Sequence, residues 1–196
     1  VQSAAISLIL FGAHLPLRAN PGTRWVKVPG KATDISIAAS GQVWVLGDKR
    51  TDGGFEIFRR DGSQWTKVPG GAAKIAVDPR GQPWVINTEG LIFQWVEPAG
   101  WTRVGKDGAD VAVGADGTVF CLTKPGADSN GGVFQWSAGK WTSIEGRGTS
   151  LAVDPKGQAW VVNVRNEIYR HEGGAWKRLP GAASELAIGS NGAVWA

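Results

Sequence analysis

Cysteine is nearly absent: Cys121 stands alone among 196 residues, which excludes a disulfide framework within the chain and a cysteine-rich zinc site. Histidine is almost as scarce, with only His14 and His171, so a histidine-built metal centre or a serine–histidine triad has little material. There is no methionine and one tyrosine. No run of five or six Lys/Arg occurs in a chain of net charge +4, so the electrostatic footprint of a nucleic-acid binder is missing. Long apolar runs are missing too. The most apolar stretch, residues 4–17, is interrupted by Ser7, Gly12, His14 and Pro16 and is too short to span a bilayer as a helix. That stretch reads either as strand material of a chain cut upstream or as the apolar core of a secretory signal, for which the basic leader is missing and Leu17-Arg18-Ala19 is a poor cleavage site.

What the chain has in excess is glycine, 29 residues, and tryptophan, 11 residues. The tryptophans are periodic. Trp25, Trp65, Trp101, Trp141 and Trp176 open the segments WVKVPG, WTKVPG, WTRVGK, WTSIEG and WKRLPG, at spacings of 40, 36, 40 and 35. Nineteen residues after each comes a second aromatic: Trp44, Trp84, Phe120, Trp160 and Trp195. Three residues before that aromatic stands Gly41, Gly81, Gly117, Gly157 or Gly192. A fixed unit repeated five times is the signature of a repeat architecture.

Each copy predicts four strands. A short one begins at the opening Trp. The second alternates in period two, as in Ile35 and Ile37 or Val111 and Val113. A Gly turn follows, such as Asp78-Pro79-Arg80-Gly81. The third strand, as in Val43-Trp44-Val45-Leu46, is apolar on both faces and therefore buried on both. The fourth carries Ile57-Phe58, Ile92-Phe93, Val133-Phe134 and Ile168-Tyr169, and is expected to be the outermost. No copy holds a helical pattern. Four-stranded units near 40 residues long, with doubly buried strands, predict an all-β fold, a β-propeller of antiparallel blades. Five blades are visible, or six if a truncated N-terminal blade is counted. The copies are 25–64, 65–100, 101–140, 141–175 and an incomplete 176–196. Residues 1–24 read as a separate N-terminal segment, either the outer strand of the closing blade, with Pro16-Leu17-Arg18 supplying the strand missing from the last copy, or the remnant of a leader.

The unit W-x-x-V-P-G-x-A-x-x-I-A-V-x-x-x-G-x-V-W-V, followed by I-F and the next Trp, resembles the tectonin β-propeller repeat from Trp25 to Ala196. Three departures stand out: Phe120 replaces Trp in the third copy, which also lacks Pro-Gly; the fifth copy is short; and residues 1–24 match poorly. The resemblance implies either a lectin that binds sugars on surfaces or an interaction propeller.

The recurrent Trp columns are explained by packing, because a position needed for stacking recurs once per blade. Residues that differ between blades are the functional candidates. After its aromatic the fourth strand reads Arg59-Arg60, Gln94-Trp95, Gln135-Trp136 and Arg170-His171. Trp95 and Trp136 are thus extra indoles outside the structural columns, and a flat indole is a stacking surface for a sugar ring, whose hydroxyls nearby amides and charged groups read. Asn87 and Asn163 in the variable loops, with Arg59 and Arg170, complete the candidate ligand set. The competing reading is that the indoles only cover a blade edge. The variable loops before the fourth strand, long at 48–54 and 123–132 and short at 87–90 and 163–166, gather on one rim. Asp128 and Asn130 place oxygens at alternate positions, but without a closing acidic residue they make a poor calcium loop. Cys121, in a buried strand, is an inert small hydrophobe. Asp34, Asp110, Ser150 and Glu185 share a column and read as turn caps or rim charges. No serine lies in a nucleophile motif.

The sequence therefore predicts a non-catalytic, lectin-like propeller with multivalent shallow glycan sites, or a scaffold that meets a protein partner on its loop rim. It calls for no cofactor, metal, nucleic acid or membrane insertion. A secreted or cell-surface location is the favoured one.

Overall fold

The structure, a computed structural model, describes residues 27–196, so the opening Trp25, the proposed closing strand at Pro16-Leu17-Arg18 and His14 lie outside the described residues. All the regular structure in the described part is β. Four four-stranded antiparallel sheets and one two-stranded sheet follow one another along the chain. The first is β1 (Asp34–Ile37), β2 (Val43–Thr51), β3 (Gly54–Asp61) and β4 (Gln64–Ala72). The second is β5 (Lys74–Val77), β6 (Pro83–Ile86), β7 (Ile92–Val96) and β8 (Gly100–Gly105). The third is β9 (Gly108–Val113), β10 (Val119–Thr123), β11 (Gly131–Ser137) and β12 (Lys140–Gly148). The fourth is β13 (Ser150–Val153), β14 (Ala159–Val162), β15 (Glu167–Glu172) and β16 (Ala175–Ala182). The pair β17 (Ala187–Ile188) and β18 (Val194–Trp195) begins a fifth. No helix of the described residues is long and apolar enough to cross a membrane.

The strands run in sequence order across each sheet. The alternating strands β1, β5, β9, β13 and β17 are innermost and line one central cavity of about 730 Å³. Four-stranded blades set around a shared axis make this a β-propeller. The strand expected to be outermost is not. The strands carrying Ile57-Phe58, Ile92-Phe93, Val133-Phe134 and Ile168-Tyr169 lie third, and the strand that opens each next repeat, with Trp65, Trp101, Trp141 or Trp176, closes the sheet outside them. The cause is local. Only a short Gly turn separates the two, so they pair as a hairpin with Arg60 opposite Trp65, Trp95 opposite Trp101, Trp136 opposite Trp141 and His171 opposite Trp176.

The glycine before each second aromatic has a defined task. Gly81 has φ 89°, a conformation that costs glycine nothing. Its N–H donates to Asp78 O at 2.9 Å. The Asp78 carboxylate accepts from the N–H groups of Arg80 and Gln82, both at 2.9 Å. The same tight turn recurs at Gly41, Gly117, Gly157 and Gly192.

The core lies between sheets. Trp44, Leu46, Ile57 and Val68 of the first sheet pack against Ile75, Val77 and Val85 of the second. Trp84, Ile86 and Ile92 meet Val111, Val119 and Cys121 of the third. Phe120, Leu122 and Val133 meet Leu151, Val153 and Val161 of the fourth. Ile75, Val111 and Leu151 are buried as the two-sided pattern required. Ile35 and Leu186, in the end sheets, are only half-buried. Trp195, whose counterpart Trp44 is 2% exposed, is 72% exposed on the two-stranded fifth sheet.

Candidate functional site

The outer tryptophans stitch neighbouring sheets. Trp65 Nε1 donates to Pro29 O at 3.3 Å, Trp101 Nε1 to Pro69 O at 2.6 Å and Trp141 Nε1 to Val104 O at 3.1 Å, while Trp176 Nε1 donates to Glu145 O. Each acceptor precedes a glycine, and a Cβ on Gly70 or Gly105 would lie 3.1 or 2.7 Å from the next indole nitrogen. The Pro-Gly step of the repeat is thus the seat of the following sheet's tryptophan, and the third copy keeps the glycine while losing the proline.

These bonds define the faces. An outer Trp and its cross-strand partner share one face of the sheet, and the bond to the preceding sheet shows that this face looks backwards. Trp95 and Trp136 are such partners. Trp95 is half-buried, with its ring centroid 5.0 Å from that of Trp101 at an interplanar angle of 78°. Its Nε1 donates to Glu97 Oε1 at 2.8 Å. Trp136 stands 5.1 Å from Trp141 at 58° and meets Trp84 edge-on at 5.6 Å. In the other two blades the same place is filled by Arg60, 5.2 Å over Trp65, and by His171, 5.0 Å from Trp176. The extra indoles are therefore neither free-standing nor on an outermost strand. They are variants of one cross-strand position, each leaning on a structural Trp with part of its surface in solvent.

Arg59 and Arg170 occupy the preceding position and the opposite face. Arg59 pairs with Trp44, and Trp44 Nε1 donates to Gly81 O of the second sheet at 3.0 Å, so this face looks forwards. The Arg59 guanidinium lies 5.8 Å over Trp44, with its Nε donating to Asp61 Oδ1 at 2.9 Å. Arg170 repeats this over Trp160 at 5.5 Å, bonded to Glu172 at 2.7 Å. The alternation brings together residues of neighbouring sheets. Arg59 and Asp61 border the groove into which Trp95 and Glu97 look back, and Gln94 borders the groove of Trp136 and Trp141. Gln94 and Glu97 were missed by sequence reasoning. The Gln-Trp dipeptide repeated at 94–95 and 135–136 was the available signal for the first, whereas Glu97 is marked only by its hydrogen bond.

Asn87 and Asn163 do not join these grooves, which corrects the expected site. Trp84 pairs with Gln94 and Ile86 with Ile92, so Asn87 stands at one end of the second sheet and Trp95 at the other, four residues or roughly 13 Å along the strand. Both asparagines build turns on the rim that carries the variable loops. Asn87 Oδ1 accepts from Glu89 N and Leu91 N at 3.1 and 2.8 Å. Asn163 Oδ1 accepts from Arg165 N and Glu167 N at 2.9 and 3.0 Å, and its Nδ2 donates to Glu167 at 2.8 Å. The long loop at 48–54 is mostly ribbon, because β2 and β3 extend to Thr51 opposite Gly54. In the other long loop Asp128 accepts from Asn130 N at 3.2 Å and pairs with Arg147 at 3.2 Å, so its oxygens already have protein partners.

At the loop-rim end of the central cavity the inner strands carry Asp34, Lys74, Asp110 and Ser150, with Glu185 just before β17, a column to which sequence reasoning had not assigned Lys74. Asp34 Oδ2 accepts from Ile75 N at 3.0 Å and Asp110 Oδ2 from Leu151 N at 3.1 Å, each tying its strand to the next sheet. Burial pushes the Asp34 carboxyl above its ordinary range against the opposing pull of Lys74, and burial raises Asp110 to about 6. Cys121, buried in β10, has its thiol pushed up to about 12 by burial, which keeps it protonated and unreactive.

The model of the Tectonin domain matches residues 49–125 and 125–196. No curated protein matches the chain. Among solved structures it is similar to YCF48 bound to D1 peptide, at 15% identity and a TM-score of 0.58 over 89% of this chain and 65% of that one. It is also similar to a candidate gluconolactonase, at 15% identity and 0.56 over 83% and 69%. TolB from Acinetobacter baumannii matches at 16% and 0.53 over 84% and 47%. The chain thus spans less than two thirds of YCF48 and less than half of TolB. At such identities the likeness shows the propeller fold alone. The two matched segments cover most of the sequence, including the indole pairs and the glycine seats between blades, and the chain belongs to the Tectonin domain family.

Proposed function

We propose that this protein is a non-catalytic carbohydrate-binding propeller whose sites are the outer grooves between neighbouring blades. The observation that carries the reading is the single variable position opposite each outer tryptophan. It holds Arg60 and His171 in two blades but Trp95 and Trp136 in the two between them, each half-exposed against a second indole. A pair of indoles set at an angle offers a sugar ring an apolar face to stack on, and the groove edges supply groups that read hydroxyls: Arg59, Asp61 and Glu97 in one groove, Gln94 in the next. Two similar grooves one blade apart suit a branched or repeating glycan, where linked weak contacts gain avidity.

A glycan array with the purified chain, followed by titration of any hit, tests this. Losing one indole contact should weaken a site about tenfold, since stacking of this kind is worth roughly 1–2 kcal/mol. Trp95→Ala and Trp136→Ala should each do so while leaving the melting temperature within a few degrees. Binding unchanged in the double variant would remove the site from these grooves. A wild type that holds no glycan would leave the interaction-scaffold reading, for which the peptide-bound YCF48 is one parallel.

A further inference from the structure

The second sheet carries a row of three polar side chains that no described protein group uses. Trp84 lies opposite Gln94, and Gln94 opposite Thr102. Residues directly opposite on neighbouring strands share one face. Here it is the face towards the third sheet, where the Trp84 ring meets Trp136 edge-on at 5.6 Å and Trp141 at 6.2 Å. The row climbs from core to solvent: Trp84 is 2% exposed, Gln94 half-buried and Thr102 exposed. Trp84 Nε1 is buried without a hydrogen-bond partner, and the side chains of Gln94 and Thr102 enter no hydrogen bond among the described residues. The siblings of Trp84 are satisfied. Trp44 Nε1 donates to Gly81 O of the next sheet and Trp160 Nε1 to Asp154 Oδ2 of its own turn. Gly117 and Asp78 hold the matching places in the repeat but take nothing from Trp84. Packing does not demand an indole there either, because the third sheet fills the same column with Phe120, 3% exposed. An unmet buried donor costs stability, so one kept in a column that accepts Phe points to an acceptor from outside the chain. The first groove differs. Its row is Trp44, Arg59 and Thr66, and both the Trp44 N–H and the Arg59 guanidinium are committed, to Gly81 O and to Asp61.

We propose that the groove between the second and third sheets is a site for uncharged sugar rings, in which the Trp84 indole N–H donates to a sugar oxygen at its floor. This rests on the glycan reading and gives one groove a donor set and a ligand class. The Gln94 amide, which both donates and accepts, and the Thr102 hydroxyl read hydroxyls further out. Trp136 and Trp141 supply the stacking wall. Trp141 is fixed by its bond to Val104 O, whereas Trp136 makes no hydrogen bond among the described residues and is the ring that turns aside to uncover the Trp84 N–H. None of these five side chains is charged, so a carboxylate taken into the groove would lose its water without meeting a cation among them.

The test is made on the whole chain carrying Trp95→Ala, which leaves this groove as the indole-paired one among the described residues. An array of neutral, sialylated and uronic-acid-ended oligosaccharides is read with that variant, and the tightest neutral ligand is titrated. Neutral chains should be held at least tenfold tighter than acidic chains of the same backbone. Adding Trp84→Phe should weaken the neutral ligand about tenfold and adding Gln94→Leu about fivefold, whereas adding Trp44→Phe should leave it unchanged. In the ¹⁵N-resolved spectrum of the wild type the Trp84 indole proton should move downfield as the same ligand saturates the site, because it gains an acceptor. That measurement decides the matter even if Trp84→Phe fails to fold. Binding indifferent to Trp84→Phe and Gln94→Leu, a Trp84 signal that stays in place, or acidic chains held as tightly as neutral ones would overturn the proposal while leaving the grooves as glycan sites. A wild type that holds no glycan would remove both readings.

Discussion

Asp110 shows how one side chain can be both a structural tie and a source of pH dependence. Its two oxygens accept the N–H groups of Val111 and Leu151 at 3.0 and 3.1 Å, but burial outweighs these bonds and the nearby Lys74, and its carboxyl titrates at about 6. The folded value lies above the ordinary carboxylate value, so the folded chain takes up the proton first. Stability should therefore rise as pH falls from about 7 towards 4, and the gain is lost as pH climbs back through 6. Asp34, raised for the same reason, acts in the same direction. Glu167 and Glu172, held below the usual range by hydrogen bonds from Asn163 and Arg170, oppose this only under more acidic conditions. Denaturant melts at pH 7 and pH 4.5 should differ by on the order of 2 kcal/mol in favour of the lower pH. Asp110→Asn should remove most of that difference, and a wild type less stable at pH 4.5 would contradict the assignment. The residue scale is also where sequence reasoning was weakest. Asp110 was legible as one of a column of polar residues, but its second bond runs to a strand 41 positions away. Nothing local announces such a bond.

At the scale of the element, the outer strand and its glycine explain why the repeat has the form it has. The indole of one outer strand donates to the carbonyl before the glycine of the previous one, and the glycine leaves room for the ring. Gly70 has φ 114° and its absent Cβ would stand 3.1 Å from Trp101 Nε1. Gly70→Ala should cost about 1–3 kcal/mol through backbone strain and a displaced indole, measured as a shift of the denaturant midpoint. A neutral result would mean the indole is not seated there. The alternation of the inner strands, the Gly turns and the doubly buried second strands could all be read from the sequence, because each is a local pattern. The order of strands was misjudged at one point. The unit was divided at its opening Trp, which assigns that strand to its own copy, whereas the short hairpin from Asp61 to Gln64 pairs it with the strand before it. The same error made Trp95 and Trp136 seem to lie on an exposed edge and obscured the register that holds Asn87 and Asn163 at the opposite rim.

At the scale of the molecule, packing between blades and recognition are divided between different tryptophans. Trp44 and Trp84 are buried between sheets, Trp65, Trp101, Trp141 and Trp176 stitch the outer rim, and Trp95 and Trp136 are the variable partners that open onto the grooves. This division is the central claim, and the indole N–H signals report it directly. In an ¹⁵N-resolved NMR titration with a glycan identified on the array, assigned by single Trp→Phe variants, the Trp95 and Trp136 indole signals should shift with ligand concentration, followed by those of their partners Trp101 and Trp141. The Trp44 and Trp160 signals should stay in place. Saturable shifts at Trp44 or Trp160 with Trp95 and Trp136 unmoved would contradict the account.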